Sequence, residues 1–337
     1  MHEAHQYTKE QNGAVRCSLC SHRCIIAPGK HGICGVREND GGTLYARTYG
    51  LVSAEAVDPI EKKPLYHYLP GSLSYSLGGI GCNFRCKHCQ NWQISQADPG
   101  SARLFLLSPQ EGVDRALASG CGSISWTYNE PTIWHEYTLD MGSLARARGL
   151  GTIYVTNGYI TEEALNELAP MLGAFRVDLK AFTDDFYKKV CGARLQPVLD
   201  AAVRARELGM HIETVTLVIP GLNDSMEEQE AMIRWVIDNL GPATPMHFTA
   251  FHPDYRMTDR GATPVALLEK IYKKARELGV RFPYIGNVSS SAYDNTFCPA
   301  CGNLLIERHG FSSRILGLDG DQCARCGEKI EIVRNVA

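Results

Sequence analysis

The order of strand-like and helix-like segments in this chain predicts an α/β fold, a partial (β/α)6 TIM-like barrel with an N-terminal Cys-rich module and a C-terminal zinc ribbon. Three observations predict it. About six β/α units follow one another between residues 72 and 278, and so many consecutive units favour a barrel or partial barrel over a short open sheet. The run Cys82-Asn83-Phe84-Arg85-Cys86-Lys87-His88-Cys89 follows the first strand. Two groups of four cysteines flank the repeating region: Cys17, Cys20, Cys24 and Cys34 before it, and Cys298, Cys301, Cys323 and Cys326 after it. The expected division is 1–70 for the N-terminal module and its lead-in, 71–292 for the barrel and 293–337 for the ribbon.

The first strand is the alternating stretch 72–80, which ends in glycine and opens into the cysteine loop. Ser108 and Pro109 then suit the N-cap and first position of a helix reaching residue 118. A strand at 123–127, a helix at about 133–148, a strand at 152–155 and a helix at 161–171 follow. Next come a strand at 174–179, a helix near 197–208 and a strand at 212–219. The last units are a helix at 225–239, a strand at 246–251 and a helix at 264–278. In barrels of this kind the site forms at the C-terminal ends of the strands. Asn129 and Glu130, Thr156 and Asn157, Asp178 and Lys180, Asn223 and Asp224, and His252 occupy those ends and should converge on the cysteine loop.

With 337 residues the chain can bury one barrel-sized core with appendages, or two domains. Its formal net charge of −3 gives no broad basic face for nucleic acid. Met1-His2-Glu3-Ala4-His5-Gln6 lacks the apolar stretch of a secretory signal, and no apolar run approaches membrane-spanning length. The expectation is a soluble, cytoplasmic protein without a membrane partner. In a reducing compartment the 13 cysteines are read as metal ligands rather than disulfides. Cys121 and Cys191 stand alone and read as small buried hydrophobes.

The C-x3-C-x2-C run suits three corners of a 4Fe-4S cube and leaves one iron without a protein thiolate, open to a substrate or cosubstrate. Cys298-Pro-Ala-Cys301-Gly and Cys323-Ala-Arg-Cys326-Gly are two knuckles with the spacing of a zinc ribbon, iron in a rubredoxin-like site being the alternative. Their task is to fold a segment too small for a core of its own. The N-terminal four cysteines suit zinc or a second cluster, with zinc preferred as the ordinary structural metal. A binding module built on two zinc sites, for protein or RNA, is a competing class, although basic and aromatic residues are sparsely interleaved.

The cysteine triplet on the first βα loop resembles the radical S-adenosylmethionine superfamily, and in particular the activating enzymes of pyruvate formate-lyase. Asp58-Pro-Ile-Glu-Lys-Lys-Pro-Leu-Tyr-His67, Gly81 to Trp92, and Thr127-Tyr-Asn-Glu-Pro-Thr132 look like the radical enzyme of the AmmeMemoRadiSam system, over about residues 17–290. The resemblance implies that Cys82, Cys86 and Cys89 bind the cluster, and that S-adenosylmethionine chelates its open iron. It implies that His88 lies near the adenine and that Glu130 takes the methionine amino group. Thr156, Asn157, Asp178, Lys180 and His252 would line the cosubstrate site, and Val218-Ile219-Pro220-Gly221 would run beside the adenine. Tyr128 and Asn129 replace two family glycines, and Val155 replaces an Asp of the activases' cation site. The implied activity is that of an oxidoreductase: reductive cleavage to a 5'-deoxyadenosyl radical that abstracts hydrogen, fed by an external donor such as flavodoxin or ferredoxin. The target is either a partner protein, as for a glycyl-radical activase, or a small molecule. Tyr49, Tyr66, His67 and Tyr68 read either as residues lining the mouth of the barrel or as packing residues.

Overall fold

A computed structural model of the chain describes residues 1–100, 102–288 and 293–336. Its main sheet has eight strands among the described residues: β1 (Ala54–Pro59), β2 (Leu73–Gly78), β3 (Ser123–Trp126), β4 (Gly151–Thr156), β5 (Ala174–Asp178), β6 (His211–Val218), β7 (Met246–Ala250) and β8 (Pro283–Gly286). They lie side by side in that order, β2 to β8 parallel and β1 antiparallel to β2. Each of the six expected strands is present. The sequence reading missed β1 and β8, the two edges of the sheet: β1 carries Glu and Asp, and β8 starts on proline, which an edge tolerates. The lead-in therefore shares its sheet with the segment of alternating strands and helices. The boundary expected at 292 and 293 touches 289–292, outside the described residues.

The helices between the strands are α1 (Pro109–Ala118), α2 (His135–Ala147), α3 (Glu162–Leu168), α4 (Gln196–Glu207), α5 (Met226–Leu240) and α6 (Val265–Leu278). Ser108, Thr161 and Ser225 cap α1, α3 and α5 by accepting from the amides of Glu111, Ala164 and Glu228. Each such cap contributes about 1 kcal/mol. The turn Pro131–Trp134 precedes α2, so that helix begins later than its apolar pattern predicts.

Strands β3 and β7 are buried along their whole length, as parallel strands covered on both faces must be. The alternation in β2 does not separate core from water. Ser74 and Ser125 share a hydroxyl hydrogen bond of 2.5 Å, and Ser76 donates to Asp58 at 2.8 Å. Its polar set is satisfied inside the protein.

Two small antiparallel sheets carry the N-terminal module, one of them formed by Tyr7–Lys9, Val15–Cys17 and Ile25–Ile26. A buried ion pair fixes the module to α2: Arg37 holds the Glu136 carboxylate through bonds of 2.6 and 3.0 Å, both side chains 1% exposed. The C-terminal module is a three-stranded sheet of Thr296–Phe297, Leu304–His309 and Ser312–Ile315. It packs on the lead-in, where buried Arg308 lies over the Tyr66 ring at 4.1 Å and donates to the Tyr66 carbonyl. His67 bonds Tyr284 and the Glu331 carbonyl. Tyr66, His67 and Tyr68 are buried packing residues, and none of them reaches the large cavity described below. Tyr49 bonds Asp140 of α2 and is likewise outside it.

Candidate active site

A cavity of about 430 Å³ opens at the C-terminal ends of the parallel strands. Cys82, Cys86 and Cys89 lie in its wall with His88, Glu130, Thr156, Asn157, Asp178 and Lys180. Nine of the ten residues expected at this site thus meet in one space. His252 is the exception: it is exposed and meets the cavity only through Gln90, at 2.7 Å. Asn223 and Asp224, also expected to converge on the cysteine loop, lie outside the cavity: Asn223 is taken up by the Lys180 and Leu217 carbonyls and the Ile219 amide, and Asp224 by the Gly221 amide.

The loop that carries the cysteines is held from both sides. The Phe84 amide donates to the Cys82 sulfur at 3.3 Å, and Asn157 reaches the same sulfur at 3.8 Å. Ser95 meets the Cys89 sulfur at 3.1 Å. Donors placed on sulfur in this way help to set the potential of a cluster. A π-helical turn, Tyr187–Cys191, supports the far side: the Arg85 amide donates to the Cys191 carbonyl and the Lys87 amide to Val190. Cys191 is buried, as expected of a lone cysteine, but it is not remote. Its thiol bonds that of Cys86, and this bond with the Lys180 charge holds the Cys86 thiol below its usual range, towards the thiolate that metals bind. Burial pushes Cys82 and Cys89 up. Cys191 does not line the cavity, so the triplet remains the set that faces it.

Glu130 caps the Pro131–Trp134 turn and accepts from Thr156 (2.6 Å), the Thr132 amide (3.0 Å) and the Asn157 amide (2.8 Å). A carboxylate has about four acceptor sites, so one remains for a cationic ligand. Burial raises its pKa against these three bonds, and an ammonium group alongside would favour the charged form. Tyr128 adopts φ +72°, the conformation that the replaced glycine permits, and its hydroxyl bonds Asp58 at 2.8 Å. Asn129 ties the same turn to the Gly79 amide and the Gly81 carbonyl, both at 3.0 Å.

Asp178 is clamped between Arg176 and Lys180; burial would raise its pKa, but the two cations hold it below the usual carboxylate range. His88 is buried with Nδ1 unpartnered, and desolvation pushes its pKa down to about 3, so a neutral ring faces the cavity.

Residues the sequence reading did not assign complete the wall. Asp58, Lys62, Lys63 and Pro64 reach it from the end of β1 and the turn beyond. Lys63 is 5% exposed, lies 3.5 Å from Asp58, and has no hydrogen-bond partner at Nζ; burial lowers its pKa to about 8. Their signal was present in the Asp58-to-His67 motif. What was missing was β1, which turns that motif inward.

The C-terminal cysteines form a different kind of site. All four sulfurs lie within 4.8 Å of one another, with Cys298 to Cys326 at 3.6 Å and Cys301 to Cys323 at 3.7 Å. Gly302 and Gly327, at φ +70° and +75°, close the two knuckles by donating to the Cys298 and Cys323 carbonyls. This explains the glycine after each second cysteine.

The Radical SAM superfamily profile matches residues 77–236. An uncharacterized protein of Methanocaldococcus jannaschii is 45% identical over 99% of this chain and 100% of its own length. The pyruvate formate-lyase-activating enzyme of Clostridium pasteurianum is 23% identical over 59% of this chain and 88% of its own. Streptococcus suis SuiB, solved with S-adenosylmethionine bound, superposes with a TM-score of 0.51 at 14% identity, covering 65% of this chain and 51% of that one.

Proposed function

Because the chain belongs to the radical SAM superfamily, we propose that it is an enzyme that uses Cys82, Cys86 and Cys89 to hold a 4Fe-4S cluster and the adjoining cavity to hold S-adenosylmethionine. The observation that carries this reading is the meeting of three thiols, one partly free buried carboxylate and a neutral imidazole in a single 430 Å³ cavity. When bound, cluster and cosubstrate supply a 5'-deoxyadenosyl radical by one-electron reduction of the sulfonium. The chain's own part is to orient and to enclose. Glu130 receives the methionine ammonium at its remaining acceptor site, and His88 packs beside the adenine. Lys180, held in place by Asp178, keeps its positive charge beside Cys86, which favours the ligating thiolate. Asp58, Lys62 and Lys63 precede the matched segment and give the cavity its individual character, with Lys63 suited to an anionic group of the substrate. Zinc is the metal we assign to the C-terminal set, with rubredoxin-like iron as the alternative: metal–sulfur bonds of about 2.3 Å put sulfurs about 3.8 Å apart in a tetrahedron.

An activase acting on a partner protein is the second reading, favoured by the similarity to the C. pasteurianum enzyme. Val155 at the position of the activases' cation-site Asp points the other way. The protein reconstituted anaerobically with iron and sulfide should show a reducible cluster signal that S-adenosylmethionine perturbs, and should release 5'-deoxyadenosine with dithionite. A Cys86→Ala variant that kept this cleavage would overturn the proposal. Deuterium carried into 5'-deoxyadenosine from a protein fraction, rather than from small metabolites, would select the activase reading.

A further inference from the structure

We propose that Cys17, Cys20, Cys24 and Cys34 hold a second iron–sulfur cluster, set against the loop that carries the first. The four line one small enclosed cavity, whose remaining wall includes Ile26, Ile133 and Arg37. Yet they do not close into a tetrahedron. Among the described residues, the groups with ligand atoms all within 4.8 Å are the C-terminal four cysteines and His5 with His135 and Glu167. No three of the N-terminal sulfurs approach so closely, which excludes the edges of about 3.8 Å that a single zinc requires. Cys82, Cys86 and Cys89 likewise form no group within that limit. A cubane places each thiolate on a different iron and needs this wider frame. The preference for zinc drawn from spacing therefore gives way to a cluster.

Arg37 supplies an independent indication. It is 1% exposed and lines the cavity, and its two terminal nitrogens are taken by Glu136 and the His5 carbonyl. Its Nε has no partner. A buried donor is seldom left unmade, and a sulfur-rich anion in the cavity would accept it.

The place of the site adds to the argument. Gly81, immediately before Cys82, has φ +84°, and a β-carbon there would lie 2.6 Å from the Cys34 carbonyl oxygen. His22 bonds the Asn83 carbonyl at 2.8 Å, and Arg85 donates to the Ile33 carbonyl. The N-terminal cysteine segment thus packs directly against the loop that carries Cys82, Cys86 and Cys89.

The test uses the full chain with Cys82, Cys86 and Cys89 all changed to Ala, which leaves the N-terminal four untouched. After anaerobic reconstitution this variant should retain about four irons and four sulfides, with about one zinc at the ribbon. Its reduced EPR signal should not respond to S-adenosylmethionine. A variant that held two zincs and no iron, or left the N-terminal site empty, would overturn the proposal. The complementary Cys20→Ala/Cys24→Ala variant should lose half of the iron of the parent chain and keep the S-adenosylmethionine-responsive signal. The first variant reports on the second cluster alone, whereas cleavage of S-adenosylmethionine by the parent chain reports on the first, so either reading can fail without the other.

Discussion

The two four-cysteine modules have equal ligand counts and opposite geometries. In the C-terminal module the sulfurs have converged to 3.6 and 3.7 Å, held by short knuckles whose glycines return each chain segment on itself. In the N-terminal module Cys34 arrives by a loop from a different strand pair, and the sulfurs stay apart around an enclosed cavity. A tight pair of knuckles can close on one ion, whereas ligands delivered by separate elements keep the spacing those elements impose. The C-terminal site is built to close a fold, and the N-terminal one adjoins the chemistry.

The sharpest way to break this contrast is to remove a ligand from each place. Cys86→Ala should reduce S-adenosylmethionine cleavage to background in a 5'-deoxyadenosine assay while the zinc content stays unchanged. Cys298→Ser/Cys323→Ser should do the reverse at the ribbon, releasing zinc measurable by colorimetric chelation. Structural zinc contributes on the order of 10 kcal/mol to folding its own module, so the segment 293–336 should become protease-sensitive.

The Arg37–Glu136 pair sharpens the comparison next. Arg37→Met leaves a buried carboxylate uncompensated and should cost about 3–5 kcal/mol in urea unfolding. The same pair gives a pH signature. Burial would raise the Glu136 pKa, but Arg37 depresses it from the ordinary 4.5 to about 2. Its contribution, on the order of 3 kcal/mol, is fully present above pH 4.5 and is lost as pH falls from there towards 2. Stability measured between pH 6 and 3 should fall less steeply in Glu136→Gln than in the parent. The smallest effect belongs to Cys121→Ala: this buried cysteine contacts no other cysteine cluster, and its loss should cost about 1 kcal/mol with metal content unchanged.

Much of the parallel sheet and its site was legible because the signals are local. Ser108, Thr161 and Ser225 announce helix starts, and residues at strand ends share a direction that the parallel sheet imposes. Lys63 and Arg176 were not legible as cavity residues because their orientation depends on pairings, of β1 with β2 and of β5 with its neighbours, that no short segment records. Cys191 is buried as its isolation in sequence suggests, but its nearness to Cys86 was not legible for the same reason: the π-helical turn that brings it there is fixed by hydrogen bonds to the cysteine loop, about a hundred residues earlier. His252 follows its strand as expected, but its side chain leaves the cavity for solvent.

The seam between the lead-in and the C-terminal module has a consequence for biosynthesis. The Val333 amide donates to the His67 carbonyl and the Leu69 amide to Val333, and the His67 ring reaches the Glu331 carbonyl across 264 residues of sequence. On the ribosome, the segment that presents Asp58 and Lys63 to the cavity therefore waits for its support until residue 333 has emerged. The cysteine triplet leaves the ribosome long before that point, on a nascent chain whose Asp58 and Lys63 wall is still unlatched.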